Sequence, residues 1–244
     1  DAQISSNWNT LAVVGMGAGG RSLFSVKLFD GTSNAIDALW EISAPVTNTP
    51  ANTWNNLGYT YSKAVVARTQ AGQWVAVFGN GYGSNTGKAS LYVVDVATGA
   101  LIKEIIVDPN TTGTAAEIAA GTGLSSPQVV VNAQYQIEKV YAGDVRGNLW
   151  EINLTGSTAS WGVANSGAAL FAAGAGHPIT AQPLLVNHPD GGHMILFGSG
   201  KLNEATDKAD LTLQTFYGVW DSASNSSPVA KASLQPQSIT NEML

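Results

Sequence analysis

Apolar residues in this chain gather in short runs, β-branched and aromatic, each closed by glycine, asparagine or aspartate. Runs of that length between turn formers predict strands rather than helices. Four segments share one plan: an apolar run, a glycine-rich knot, and a second run with an aromatic residue at or near its start. LAVVGMGAGG (11–20) leads into SLFSVKLFDG (22–31), and VAVFGNGYG (75–83) into SLYVVDVATG (90–99). KVYAGDVRGN (139–148) leads into LWEINLTG (149–156), and MILFGSGK (194–201), after a longer insert, into FYGVWD (216–221). The knots begin at Gly15, Gly79, Gly143 and Gly198, at steps of 64, 64 and 55 residues. The aromatics are Phe24, Tyr92, Trp150 and Phe216.

A period of roughly 60 residues holding several short strands is the mark of a blade repeat. The expected fold is therefore all-β, a β-propeller with about four blades visible, spanning 1–244 as a single domain or propeller fragment. WVAVF is apolar at consecutive positions, as a strand packed between neighbouring blades must be. DVATG and NLTG supply turns, where Asp or Asn and Gly accept conformations that other residues resist. Polar insertions at 43–56, 108–123 and 222–228 separate the repeats, and TAAEIAA in the middle one predicts two helical turns. Long loops of this kind gather on one face of a propeller, where function is expected. Four blades leave open sheet edges, so the chain is expected to be part of a larger ring.

Composition narrows the function classes. Charged residues are 11% of the 244, against about 25% in typical soluble domains. The surface is thus neutral and hydrogen-bonding. The 11 Lys and Arg are scattered and the net charge is −6, which argues against nucleic acid and against an anionic membrane surface. With no cysteine, disulfides, thiolate metal sites and a cysteine nucleophile are excluded. No stretch approaches the ~20 apolar residues of a membrane span. Asp1 does not open a signal peptide, as expected of a mature or excised sequence.

Several motifs invite chemistry and have plainer readings. GMGAGG places Gly15, Gly17 and Gly20 in a dinucleotide-binding pattern, but RSLFSVKLF after it predicts a strand. Without a helix N-terminus there is no dipole to hold pyrophosphate. GYGSNTGK resembles a P-loop, with Tyr82 at its first glycine and Ala89 at its Mg²⁺-binding hydroxyl. Both knots read as turns between strands, bulged by their glycines. His188 and His193 lie in the hairpin NHPDGGH, and His177 stands apart. Turn histidines five residues apart are more often solvated than metal-bound. Glu204, Asp207 and Asp210 form the densest acidic group, but glycoside hydrolysis needs carboxylates opposed across a cleft. A solvated turn is the simpler reading.

Several segments together resemble a known family: NWNTLAVVGMGAGGRSLFSVKLFD, NLGYTYSKAVVARTQAGQWVAVFGNGYGS, VYAGDVRGNLWEINL, HPDGGHMILFGSGK and FYGVWD. In this order they are similar to the C-terminal propeller of type IV pilus tip and biogenesis proteins of the PilC/PilY type, from about Asn7 to Asp221. The resemblance implies a seven-bladed, modified β-propeller on a secreted bacterial surface protein, at the pilus tip or outer membrane. It implies a non-enzymatic role in pilus assembly with minor pilins, opposing retraction and mediating attachment to host-cell or abiotic surfaces. It also implies a calcium loop, D-x-D-x-D-x-x-x-D, just before YAGD. Here that stretch is VVNAQYQIE, with Val130, Asn132, Gln134 and Glu138 at the ligand positions. One carboxylate remains, too little charge for a calcium site, so no cofactor is expected. Val145-Arg146-Gly147-Asn148 is the nearest string to an Arg-Gly-Asp tripeptide and reads as a strand turn.

Partner contacts are expected on loops 43–62 and 108–126, with Trp54 and Tyr61 as aromatic anchors. The rival class is a propeller enzyme, a quinoprotein-like dehydrogenase or a glycosidase. The first needs a cofactor-binding cluster of acids and calcium, which the sequence does not assemble.

Overall fold

A computed structural model describes residues 1–34, 36–108, 121–222 and 228–238. Its strands form four antiparallel sheets in chain order. The first blade is β1 (Ala2–Ile4), β2 (Asn7–Gly15), β3 (Ser22–Phe29) and β4 (Asp37–Ser43). The second is β5 (Val65–Arg68), β6 (Trp74–Gly79), β7 (Ser90–Asp95) and β8 (Leu101–Ile106). The third holds β9 (Gln128–Val131), β10 (Ile137–Gly143), β11 (Asn148–Asn153) and β12 (Gly162–Val163), with β13 (Phe171–Ala172) also pairing with β11. The fourth has three strands, β14 (Leu184–Asn187), β15 (His193–Gly198) and β16 (Phe216–Asp221). The TAAEIAA helix expected within 108–123 lies outside the described residues.

Period-two alternation lets each blade serve two cores. Along β6 and β7, Ala76, Phe78, Tyr92 and Val94 face the first blade, where they meet Leu23, Ile42 and Leu57. Their neighbours Val75, Val77, Leu91 and Val93 face the third, meeting Val140, Ala142, Trp150 and Ile152. The next interface joins Tyr141 and Leu149 to Ile195, Phe197, Tyr217 and Val219 of the fourth blade. Each such side chain, fully buried, contributes about 1.5–3 kcal/mol. This is why WVAVF carries no polar position.

The two end blades differ. The outward face of the first carries Val14 opposite Phe24, 40% and 37% exposed. That of the fourth carries Leu184 and Phe216, 61% and 71% exposed.

The turns after the third strand of the first three blades share one device. A carboxylate or amide oxygen accepts backbone N–H groups two or three residues on, together with a threonine hydroxyl. Asp30 does so for Thr32 and Ser33, Asp95 for Ala97 and Thr98, and Asn153 for Thr155. The turns expected at DVATG and NLTG are thus Asx turns, and Asp30 adds a third of the same kind. In the fourth blade the residue in this place, Asp221, accepts instead from the Tyr141 hydroxyl of the third blade.

Candidate functional site

The glycine knots all connect the second and third strands of a blade, so they lie on one face. The segments that carry the chain from one blade to the next cross this face as straps. Gly15 packs against the Thr60 carbonyl, Gly79 against those of Leu124 and Ser125, and Gly143 against Ile179, each so closely that a Cβ would collide. At Gly198 nothing lies within 4 Å of that position. The first three glycines are therefore required by the approach of a strap, and a bulge is not the reason for them.

Hydrogen bonds stitch each strap to the knots on either side. Thr60 accepts from Gly17 N–H at 3.3 Å, and its hydroxyl accepts from Met16 N–H at 2.8 Å. The Ser62 and Ser125 hydroxyls accept the N–H groups of Gly79 and Gly143 at 2.9 and 3.1 Å. Farther on, the N–H of Gly200 donates to the Pro178 carbonyl at 2.6 Å. The residue after the knot's first glycine also acts as a peg. Fully buried Asn80 accepts from Ser90 and Leu124 N–H and donates to the Asn56 and Lys88 carbonyls. Asp144 accepts from Arg146 and Asn148 N–H, the Asn148 amide and the Trp150 indole. The sequence reading passed over these pegs and the strap hydroxyls. Hydroxyl residues recurring in YTYS and LSSP ahead of a strand were the available signal.

Strap 44–62 holds two exposed aromatics of this face. Tyr59 and Tyr61 are open to solvent, and the Tyr61 ring lies 5.8 Å from that of Tyr82. Tyr61 borders a shallow cleft of ≈ 480 Å³ lined also by Val14, Gly17, Thr60 and Lys63. Trp54 is half-buried, its ring 5.2 Å from Tyr92 on the edge of the core. It therefore holds the strap to the blade, a role that its place in a polar loop did not foretell.

The other candidates disperse. His188 stacks on Trp220 with ring centres 4.2 Å apart, His193 lies 6.4 Å from the Tyr141 ring, and His177 sits on another strap. Asp207 closes a capping box around a short 3₁₀ helix, Ala205–Ala209, accepting from Asn203 and Glu204 N–H and pairing with Lys201 at 2.8 Å. The Lys201 ammonium and these N–H groups hold its carboxyl down at about 2. Asp210 turns to Thr212. This acidic group is thus a self-contained turn, as its density with lysines suggested. Arg146 pairs with Asp108 at 2.9 Å. Among the described residues, no three of His, Asp and Glu group as a metal site would require.

The implied calcium loop falls in the β9–β10 hairpin. Asn132 Oδ1 accepts from Gln134 and Gln136 N–H at 2.9 and 3.0 Å, and its Nδ2 donates to Gln136 Oε1 at 3.1 Å. Val130 packs toward the core between the third and fourth blades, and Glu138 sits in the bulge between Ile137 and Lys139.

Comparison with known proteins agrees with this architecture. The family profile described as the PilY1 beta-propeller domain matches residues 1–241. The type IV pilus biogenesis factor PilY1 of Pseudomonas aeruginosa (strain UCBPP-PA14) is 35% identical over 277 aligned residues, covering 99% of this chain and 22% of that protein. A PilY1 homolog from Xylella fastidiosa (strain Temecula1) is 35% identical over 240 residues, 92% of this chain and 16% of that protein. The chain thus spans about a fifth of the length of these relatives. The crystal structure of the P. aeruginosa PilY1 C-terminal domain superposes with a TM-score of 0.80 at 33% identity, over 94% of this chain and 50% of that one. The chain belongs to the PilY1 β-propeller domain family.

Proposed function

We propose that this chain is part of the propeller of a type IV pilus biogenesis factor, a secreted protein of the pilus tip or outer surface. It promotes pilus assembly together with minor pilins, opposes retraction and contributes to attachment to host or abiotic surfaces. The observation that carries the reading is the family match over 1–241, with relatives named as type IV pilus biogenesis factors at 35% identity across nearly the whole chain. The apolar outward faces at Val14 and Phe24 and at Leu184 and Phe216 suit cover by further blades of a larger, seven-bladed ring. In this reading the strap face, with Tyr59 and Tyr61 open and Trp54 wedged beside Tyr92, meets the partner. The role is non-enzymatic, in keeping with acids and histidines that are committed to separate turns and stacks.

Immunogold electron microscopy of the tagged full-length protein on its native cells tests this. Label at pilus tips, or at pilus bases on the surface, is expected. Label confined to the periplasm, with piliation unchanged on deletion, would overturn it.

A further inference from the structure

The residues at the implied calcium loop do not fit that ion, and the structure shows what they do instead. Calcium takes six to eight hard oxygens. The side-chain oxygen of Asn132 already accepts two backbone N–H groups, and that of Gln136 accepts the Asn132 amide. The backbone closes the same loop, with Asn132 N–H donating to the Gln136 carbonyl and Tyr135 N–H to the Asn132 carbonyl, both at 2.9 Å. Tyr135 takes the left-handed conformation at φ 58° that this tight closure demands.

The closed turn also reaches its neighbour. Gln136 Nε2 donates to the Gln70 carbonyl at 3.3 Å, and Gln136 bridges to Arg68 as a short parallel pair. Gln70 answers from the second blade, its Oε1 accepting Gly156 N–H at 2.8 Å from the turn that follows β11. The Thr69–Gln73 turn is itself tied by Thr69 N–H to the Gln73 carbonyl at 2.8 Å. Three turns on the face opposite the knots, two from the third blade and one from the second, thus meet through two glutamines and an asparagine.

We infer that this amide cluster is an interblade clasp that stands in the place of a metal, so that the second and third blades are held together here without a divalent cation. Amides suit the task because each offers donor and acceptor at once. They close the turn and cross to the neighbour with no charge to neutralise.

The test uses the full-length protein, with terbium as a calcium probe excited through Tyr135, which is 80% exposed at the turn apex. No calcium-competed terbium emission that vanishes in Tyr135→Phe is expected. Amide exchange across 68–73 and 132–136 should be the same in calcium and in EDTA. In Gln136→Leu, which removes the interblade donor and the acceptor of the Asn132 amide but keeps the bonds from backbone N–H groups that close the turn, exchange at 68–73 should quicken about tenfold, the scale of one lost hydrogen bond, with β7 unchanged. Tyr135-dependent emission, or protection that rises with calcium, would make the turn a metal site. Unchanged exchange at 68–73 in Gln136→Leu would remove the clasp.

Discussion

Asn80 Oδ1 accepts the backbone N–H of Leu124 at 2.9 Å, joining the knot of the second blade to the strap of the third. The same side chain accepts from Ser90 and donates to two carbonyls, so one fully buried amide satisfies four backbone groups. Asn80→Ala leaves all four without partners, and unmade buried hydrogen bonds are costly. The expected loss is about 3–4 kcal/mol, read as a lower urea midpoint. A loss below about 1 kcal/mol would show that water replaces the amide.

The knot glycines separate into two kinds. Gly79→Ala and Gly143→Ala drive a methyl into a strap, and overpacking of this sort costs about 1–3 kcal/mol, more where backbone must shift. Gly198→Ala meets open space and should stay within about 1 kcal/mol of the parent. Thermal melts of the three variants check the contrast; equal shifts would contradict it.

Between the third and fourth blades, Lys139 pairs with Glu151 at 2.6 Å and Asp221 at 3.3 Å, and Tyr141 donates to Asp221. Burial pulls the Lys139 ammonium down, but the two carboxylates hold it above its usual value. Lys139→Met leaves two buried carboxylates without their cation. A partly exposed lysine reduces the several kcal/mol of a fully buried pair, so about 1–3 kcal/mol is expected. Adding Glu151→Gln should recover part of it, a coupling that a double-mutant cycle measures.

The 201–215 insert should respond to acid. The folded carboxyl of Asp207 titrates at about 2, below its ordinary 3.8. Its contribution is therefore complete above the unfolded value and fades as pH falls from about 4 toward 2. Limited proteolysis with an acid protease should open the insert across that window in the parent. Asp207→Asn should be open already and keep only the part of the step that Asp210, its carboxyl lowered by hydrogen bonds from Thr212, supplies.

On the proposed reading the strap aromatics divide into Tyr59 and Tyr61, which meet the partner, and Trp54, which packs. Tyr59→Ala with Tyr61→Ala should weaken binding to purified minor pilins about tenfold or more and leave the melting temperature within a few degrees. Trp54→Ala should lower the melting temperature, because its ring packs on Tyr92. Pilin binding that is indifferent to all three would move the contact off this face.

Legibility in the sequence followed range. The first three knots, their paired runs and the turns after them could be read because each is set locally, and the fourth because its runs repeat the same plan across a longer insert. Why Gly79 is glycine could not be read, since the colliding carbonyl belongs to Ser125. Trp54 looked like a loop residue because Tyr92, 38 positions on, is what buries it. The Lys139–Asp221 pair spans 82 residues, and nothing local marks either partner.

The stitches themselves are short in chain distance. Gly15 meets Thr60, Gly79 meets Ser125 and Gly143 meets Ile179, all separations far below the chain length. Contacts of moderate range favour stepwise assembly over one long search. Thr60 lies close after Gly15 in the chain, so the first blade can dock its strap without waiting for the third. Each blade shares a core with the next, so every docked strap leaves a packing face for its neighbour and assembly can proceed blade by blade.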